Sequence, residues 1–497
     1  MSSTPLQNYT HQLTPPIDSG DVKRCTNRET PDLLKINCKN FQENQIVDTS
    51  ITDPVISRSD YCRFSLDRGR GILHSNSKIQ LGVTSDGVAD NGKVFFPIGS
   101  GILANIDRAV LRSGTTVIQE IRDGGHYYTA KSLLDTNEDV KHRYVITEGR
   151  ANAFENVTDV VNVAGVIQTG SEYTSQMFVD NGLENTETYT PNPAKAQNEV
   201  TNHNHLMRNV QILNNGSEFV VSLADLFSCL REFSLPLFMT EEPIIIELFF
   251  NTNVTQVASY SSAVAAPADE YQIDSTKTKL IADYITYSEE IMSEFKAKNQ
   301  NMALNFTDPQ LVKSNNNYST TPSYTTSLGG SGKIVDDVLI SHSELDTVVL
   351  NKSLLNAFQS DDISKDSATA QMAVNLRLND RQLFPVDVTN ISEQYQNSLL
   401  AEGMPYNLCA DEYCRSAFGQ NLSTRFTVEG YGATTLSGEK RYFAIRNSRV
   451  EERVSNNGID LIVRATDPVN TEAVIRAYVG IRKSLVFRGG RFFVIDV

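Results

Sequence analysis

Apolar positions along the chain fall in short runs, and in many of them they alternate with polar or β-branched residues. This two-residue period is typical of half-buried β-strands. The segments that predict strands are 79–83, 109–111, 116–121, 209–213, 218–221, 243–250, 372–378, 442–445, 459–463, 473–481, 485–487 and 492–497. Many short strands separated by turn residues predict an all-β protein built from sandwiches or barrels.

Dipeptides that tolerate positive φ lie between or beside several of these strands, where tight turns require them. They are Ser113-Gly114, Asn215-Gly216, Asn379-Asp380, Asn457-Gly458 and Gly489-Gly490.

Only a few segments have helical spacing of apolar residues. Ser222 is a candidate N-cap for a helix that reaches Phe233, and the segments 346–358 and, more weakly, 391–402 are further candidates. These helices are inserts between strands and not parts of βα units, which argues against a doubly wound nucleotide-binding fold.

The order of elements recurs along the chain. A hairpin around Ser113-Gly114, the turn Asn215-Gly216 and a closing strand at 243–250 are matched by Asn379-Asp380, Asn457-Gly458 and a strand at 473–481. The sequence therefore predicts two successive β-domains. The predicted organisation is an N-terminal arm at 1–54, a first domain at 55–255, a linker at 256–277 and a second domain at 278–497.

Composition excludes several classes of protein. The 497 residues are 40% hydrophobic and 21% charged, values that are ordinary for a globular protein. The net charge of −16 disfavours broad electrostatic binding to nucleic acid or to an anionic membrane. The start of the chain lacks the basic and apolar regions of a secretory signal, and no segment has the length and apolarity of a transmembrane helix.

The N-terminal arm is polar and carries acidic as well as basic residues, whereas arms that package genomes are strongly basic. We therefore expect it to contact a protein or a membrane-proximal partner. The six cysteines are scattered, and Cys409 and Cys414 lack the CxxC spacing of zinc or redox sites. They are interpreted as buried or free thiols.

The search for catalytic chemistry yields weak candidates. His203 and His205 form a close pair, but no third ligand lies at metal spacing, so solvent-facing loop residues are the favoured interpretation. His126 follows Gly124-Gly125, either as a site residue or, as we favour, in a glycine-opened loop with aromatic residues packed beneath it. The remaining candidates are glycine pairs at Gly69-Arg70-Gly71 and Gly99-Ser100-Gly101, and carboxylate pairs at Glu241-Glu242 and Asp361-Asp362.

None of these candidates completes a phosphate-binding, metal-binding or nucleophilic motif. The sequence predicts no catalytic, cofactor-binding or metal-binding residues, no cofactor and no enzyme activity.

A cluster of basic residues near the C-terminal end has two interpretations. Its members are Arg476, Arg482, Lys483, Arg488 and Arg491. They are either the polar edge of alternating strands or a patch that binds an acidic neighbour or nucleic acid. If the patch functions in binding, a subunit contact suits an acidic protein better than nucleic acid does.

Several of these motifs resemble those of double jelly-roll major capsid proteins, especially those of polinton-like viruses and virophages in the adenovirus-hexon-like lineage. The run 110–121 with Tyr127-Tyr128 resembles their hairpin and following helix. The motifs 223–227, 235–237 and 244–248 resemble the end of their first jelly roll. The run 282–284 with Glu289-Glu290 is similar to the start of their second jelly roll. The run 376–384 with Tyr395 is similar to the hairpin and helix of that second jelly roll. The resemblance spans 55–497.

This resemblance implies an all-β fold of two consecutive eight-stranded jelly rolls with a few short inserted helices. It implies a major capsid protein whose homotrimers form pseudo-hexagonal capsomers that tile the facets of an icosahedral DNA virus. The implied partners are other copies of the chain and minor capsid, penton or cement proteins, with no specific nucleic acid. The implied location is the virion capsid, assembled inside the host cell.

Two alternatives stay open from the sequence. One is a minor, vertex capsid protein, although such proteins usually carry a single jelly roll. The other is a tandem β-sandwich surface binding protein, which would be expected to carry a signal peptide and aromatic ligand platforms.

Overall fold

The computed structural model describes residues 46–58, 60–66, 68–85, 94–95, 101–135, 147–149, 160–161, 167–168, 217–251, 259–260, 271–318, 320–344, 371–388, 442–446, 453–455, 457–466 and 472–497. None of the helices among them is long and apolar enough to cross a membrane.

Strands dominate the described residues. In chain order they are β1 Ile46–Thr52, β2 Val55–Arg58, β3 Tyr61–Leu66, β4 Ile72–Leu73, β5 Lys78–Ser85, β6 Val94–Phe95, β7 Ile106–Ser113, β8 Thr116–Arg122, β9 Val160–Val161, β10 Ile167–Gln168, β11 Ser217–Ser222, β12 Leu235–Pro236, β13 Ile244–Phe250, β14 Ser259–Tyr260, β15 Tyr271–Ile273, β16 Lys279–Thr286, β17 Ala303–Asn317, β18 Ser323–Gly329, β19 Val335–Glu344, β20 Gln371–Leu378, β21 Arg381–Gln382, β22 Tyr442–Arg446, β23 Ile459–Thr466, β24 Glu472–Arg488 and β25 Arg491–Asp496. The predicted strands within the described residues are confirmed, except that 473–481 and 485–487 are parts of one continuous strand, β24. The predicted strand 209–213 lies outside them.

Helices are short and few among the described residues. They are α1 Gly124–Asp135, α2 Leu223–Leu226, α3 Cys229–Glu232 and α4 Glu289–Lys298, with 3-10 turns at Gly101–Asn105 and Leu237–Met239. The predicted helices 346–358 and 391–402 lie outside the described residues.

The single helix predicted from Ser222 to Phe233 is wrong in one respect, because the segment forms two helices, α2 and α3. Ser222 caps α2 as expected, since its hydroxyl accepts a hydrogen bond from Ala224 N at 3.2 Å. The break follows at Phe227, whose backbone is extended, and at Ser228, whose hydroxyl bonds to groups outside the helix. These tertiary hydrogen bonds outweigh the helical pattern of the apolar residues.

The first sandwich consists of two sheets, named 1A and 1B. In sheet 1A the strand order is β11-β5-β16-β4-β12, with β1 paired to β16 and β15 to β5. Sheet 1B has the order β2-β3-β13-β7-β8. Strand β13 shows why the sequence folds this way, because its even-numbered residues are buried and its odd-numbered residues are only partly buried. Each fully buried side chain of this size stabilises the fold by roughly 1.5–3 kcal/mol.

The second sandwich also has two sheets, named 2A and 2B. Sheet 2A has the order β17-β24-β19-β22, with β25 beside β24, and sheet 2B has the order β18-β23-β20-β21. The turns that close its hairpins adopt the expected backbone. Asn379 and Asp380 have φ of 52° and 60°, and Gly489 and Gly490 have φ of 57° and 78°. Two successive residues with positive φ match the twist of a tight hairpin.

The internal repeat is partly right. The pair β5 and β11 in the first sandwich corresponds to β18 and β23 in the second, and the predicted closing strands β13 and β24 lie inside sheets 1B and 2A. The equivalence of the two hairpins is wrong, because β7 and β8 lie beside β13 in sheet 1B whereas β20 and β21 lie beside β23 in sheet 2B. Both hairpins close with residues that have positive φ, Gly114 in one and Asn379 and Asp380 in the other. Such turn residues indicate a hairpin, but they do not indicate which sheet the hairpin joins.

Two strands pair across the predicted domain boundaries. Strand β1, from the predicted arm, is hydrogen-bonded along its whole length to β16. Strand β16, from the predicted second domain, is also paired with β4 and β5 in sheet 1A. The division at 55–255 and 278–497 stays a prediction of domain organisation.

Candidate functional site: the junction between the sandwiches

The two sandwiches meet where β8 and α3 of the first contact sheet 2A, and Tyr127 of α1 packs against Tyr478 of β24. The alternation along β24 divides its side chains between two environments. Ile475, Ala477 and Val479 pack in the core of the second sandwich. Arg476 and Tyr478 point the other way and contact the first sandwich. Both faces of β24 are therefore buried over residues 473–481, which explains why this stretch is apolar apart from Arg476.

Asp123 is the centre of this junction. Its carboxylate accepts a hydrogen bond from Arg476 Nε at 2.6 Å and lies 2.8 Å from His126 Nδ1. Its carbonyl oxygen accepts hydrogen bonds from Tyr478 Oη at 3.1 Å and from Tyr127 N in the first turn of α1. One residue between a hairpin and a helix therefore holds groups from both sandwiches.

The electrostatics of Asp123 reflect this environment. Burial opposes ionisation of the carboxyl group, but His126 and Arg476 outweigh it and hold the pKa of Asp123 well below its usual range. The carboxylate is therefore ionised at all ordinary pH values. The side chain of Arg476 is only 2% exposed, so its charge depends on Asp123 for compensation.

Gln119 forms a second bridge without net charge. Its side chain is 1% exposed, and its amide donates to Ser228 Oγ at 2.7 Å while its carbonyl oxygen accepts from Cys229 N at 3.1 Å. Ser228 in turn donates to Thr307 O, on β17, at 3.0 Å. Because the amide and the hydroxyl both find partners, burying them costs little.

Acidic residues of sheet 2A pair with the basic residues of β24. Lys483 Nζ lies 2.6 Å from Asp308 Oδ2, and Arg482 pairs with Asp336. Burial raises the pKa of Asp308 even though Lys483 acts in the opposite direction.

A third contact joins turns at one end of the junction. Glu241 N donates to Gly490 O at 2.8 Å, and Arg491 lies 3.3 Å from Glu242. Gly114 N donates to Pro243 O at 3.0 Å, so the β7–β8 hairpin, the 240–243 turn and the β24–β25 hairpin meet here. The carboxylate pair Glu241-Glu242 thus lies at a structural contact.

These contacts show what most residues of the C-terminal basic cluster bind. Arg476, Arg482, Lys483 and Arg491 each pair with an acidic residue of the same chain, and Arg488 is exposed. For Arg476 both interpretations are wrong, because the residue is neither a strand edge nor a surface patch. The signal that could have revealed it is that Arg476 is the single charged residue in the apolar run 473–481, since such a charge requires a buried partner.

The other sequence candidates do not converge on one site. His126 lies in helix α1, so its interpretation as a loop residue is wrong, and the helix implied by the family resemblance is present. Arg70 lies 5.3 Å from the centre of the Tyr284 ring, and a Cβ on Gly71 would come within 2.1 Å of Ile285 O. Gly71 therefore allows close backbone packing, whereas Gly69 has a positive φ of 76° and open space around it.

Cys62 and Cys229 are fully buried free thiols, as predicted, and burial raises the pKa of each well above its usual value. The remaining candidates lie outside the described residues: His203, His205, Cys409, Cys414, Gly99-Ser100 and Asp361-Asp362.

The described residues contain no group of three or more His, Cys, Asp or Glu side chains that could hold a metal ion. A small pocket lies between sheets 2A and 2B, where Val335, Val338, Leu376 and Ile459 line it with Asp337. Its volume of about 20 Å³ is far below the roughly 300–1,000 Å³ of typical small-molecule sites, and its lining lacks several convergent polar groups.

Comparison with known proteins gives a clear result at the level of structure. No protein-family model and no curated protein sequence matches the chain. The chain is similar to the cryo-EM structure of the Sputnik virophage, with a TM-score of 0.52, 11% identity and coverage of 94% of this chain and 92% of that one. It is also similar to the quasi-atomic model of the PBCV-1 virus capsid, with a TM-score of 0.50, 10% identity and coverage of 93% and 99%.

Both matched structures are double jelly-roll major capsid proteins. The chain therefore has the double jelly-roll fold, and the predicted all-β class and tandem architecture are confirmed. By structure it resembles virophage and large-virus capsid proteins, as its sequence motifs indicate.

Proposed function

We propose that this chain is a major capsid protein whose homotrimers form pseudo-hexagonal capsomers on the facets of an icosahedral DNA virus. The observation that carries the proposal is the match of almost the whole chain to capsid structures, with both sandwiches included. Fold alone does not determine function, so features of the molecule that suit this task are also relevant.

The junction suits a building block of this kind. Three copies of a chain with two similar sandwiches present six similar units around a threefold axis, which approximates a hexagon. That outline requires a fixed relation between the two sandwiches of each chain. The buried Asp123–Arg476 pair and the Gln119 bridge supply such a relation, because buried, fully satisfied polar groups favour one geometry.

The proposal extends to partners and location. The chain would bind other copies of itself and minor capsid, penton or cement proteins in the virion capsid, after assembly inside the host cell. Residues 1–54 would contact a neighbouring or membrane-proximal protein. The proposed role is structural, with no catalysis, no cofactor and no specific nucleic acid.

Light scattering behind a sizing column tests the proposal on the purified full chain. Three copies of the 55.1 kDa chain give a species of about 165 kDa, and negative-stain images of it should show a hexagonal outline. A chain that stays monomeric at micromolar concentration would contradict the proposal. Pentameric rings would favour the vertex protein, and glycan binding by a monomer would favour the surface binding protein.

A further inference from the structure

A row of apolar side chains is exposed on the first sandwich. Val47 and Ile51 on β1 and Val55 at the start of β2 are 46%, 65% and 54% exposed. Among the described residues only two other large apolar side chains are at least 46% exposed, Val386 and Phe493. Three exposed apolar residues within nine positions of one segment are unusual for a surface without a partner.

This row lies on the side of the first sandwich that faces away from the second. In sheet 1B, β2 and β8 are the two edge strands, four strand spacings or about 19 Å apart, and β8 contacts the second sandwich. Two residues separate the end of β1 from the start of β2, and β1 is paired with β16 in sheet 1A. Segment 46–58 therefore follows the outer flank of the first sandwich.

Val386 is 77% exposed, the highest value among the exposed apolar side chains of the described residues. It lies in the segment 381–388, which runs along the free side of β20. Leu383 N donates to Leu376 O, and Val374 and Val388 exchange two backbone hydrogen bonds. This segment thus forms the edge of sheet 2B.

Sheet 2B is the layer of the molecule that is remote from the first sandwich. The hydrophobic core of the first sandwich includes Phe306, Leu339 and Phe492 of sheet 2A. The buried apolar residues of sheet 2B pack instead in the separate core of the second sandwich. Val386 and the row on the first sandwich consequently lie at opposite ends of the two-sandwich chain.

The charges that flank the two surfaces are complementary. Asp53 is exposed between Ile51 and Val55, whereas Asp48 lies on the other face of β1 and is 3.5 Å from Arg70. Arg381 and Arg464 are exposed near Val386, with Arg464 2.6 Å from Asp387. An apolar centre with an exposed carboxylate on one surface and an apolar centre with exposed arginines on the other favour contact between the two surfaces.

We propose that the outer-flank patch (Val47, Ile51, Val55 and Asp53) binds the distal patch (Val386, Arg381 and Arg464) of a second copy of this chain. The inference rests on the proposed function and deepens it by naming the surfaces that join the copies. The contact is head-to-tail, since different surfaces meet. Contacts of this type close into rings when the rotation between copies is a fraction of a full turn, as in a threefold capsomer.

The test uses the full chain with Ile51→Glu or Val386→Glu, and Ile291→Glu as a matched control on helix α4. Light scattering gives the assembly state, and far-UV circular dichroism confirms folding. A charge in the centre of an interface should raise the dissociation constant of the contact by roughly tenfold or more. Both test variants should therefore be monomeric under conditions in which the unchanged chain and Ile291→Glu assemble.

Mixing the two test variants gives the decisive measurement. Each variant keeps one intact surface, so the mixture should form complexes of two chains, about 110 kDa, and no trimers. Misfolded variants would not complement each other in this way. If Ile51→Glu or Val386→Glu assembles like the unchanged chain, the proposed contact is wrong while the capsomer proposal stands. If the unchanged chain is monomeric, both proposals fail.

Discussion

Replacing Arg476 with methionine should loosen the junction between the two jelly rolls. Methionine keeps the length of the arginine stem and removes the guanidinium group, so Asp123 loses its 2.6 Å partner. Removing one partner of a buried ion pair typically costs about 3–5 kcal/mol. We expect the lower end, about 3 kcal/mol, because Asp123 keeps His126 and its side chain is 21% exposed.

A double-mutant cycle with Asp123→Asn isolates the pair. Each single variant removes one member of the Asp123–Arg476 pair and leaves the charge of the other buried, whereas the double variant removes both charges. The double variant should therefore cost at least about 2 kcal/mol less than the sum of the single variants. The exposed pair of Arg122 with Glu120 supplies the control, since Arg122→Met should cost less than about 1 kcal/mol.

Urea unfolding followed by far-UV circular dichroism measures these effects, because the chain contains no tryptophan for fluorescence. The free energy of the first unfolding transition is the quantity to compare, since the two jelly rolls need not unfold together. If Arg476→Met lowers the free energy of the first unfolding transition no more than Arg122→Met does, the view that the buried pair joins the jelly rolls is refuted. Additive single effects would refute the coupling.

Three further outcomes follow from the structure. The pKa of Asp123 is lowered in the folded state, so the stability that the ionised carboxylate contributes is complete above the ordinary pKa of 3.8 and is lost as the pH falls towards the folded pKa. The difference in melting temperature between the unchanged chain and Asp123→Asn should therefore shrink between pH 5 and pH 2. A constant difference would contradict this. Cys62 and Cys229, buried and with raised pKa values, should resist a maleimide until urea unfolds the chain, as peptide mass spectrometry will show. Gly71→Ala should destabilise the fold by roughly 1–3 kcal/mol in thermal melts, because the new Cβ would meet the fixed carbonyl oxygen of Ile285.

The local structure of this chain could be predicted well from its sequence. Strand β5 buries Ile79, Leu81 and Val83, the apolar positions of its alternating sequence, and the Asn379-Asp380 turn has the positive φ that its residue types tolerate. Both features depend on neighbours within a few positions. Helix α1 is the exception, because Gly124-Gly125 has low helix propensity and the burial of Tyr127 and Tyr128 overrides it.

Long-range pairing could not be predicted in the same way. The period-two pattern of β16 indicates a strand, but nothing in it specifies β1, β4 and β5 as partners. The junction has the same difficulty, since Asp123 and Arg476 are far apart in the chain and the apolar run around Arg476 indicates a buried charge without indicating its partner. A single sequence contains the requirement that buried charges be paired, but it does not identify the partner.

The separation of Asp123 and Arg476 has a consequence for synthesis of the chain. The two residues are 353 positions apart, and a ribosome adds about 5–20 residues per second. Roughly 20–70 s therefore pass between the emergence of the aspartate and that of its partner. During this interval the growing first jelly roll presents β8 and the start of α1 without the sheet that covers them. Protection by chaperones is most valuable in this interval, and a prematurely terminated chain would expose the same surface permanently.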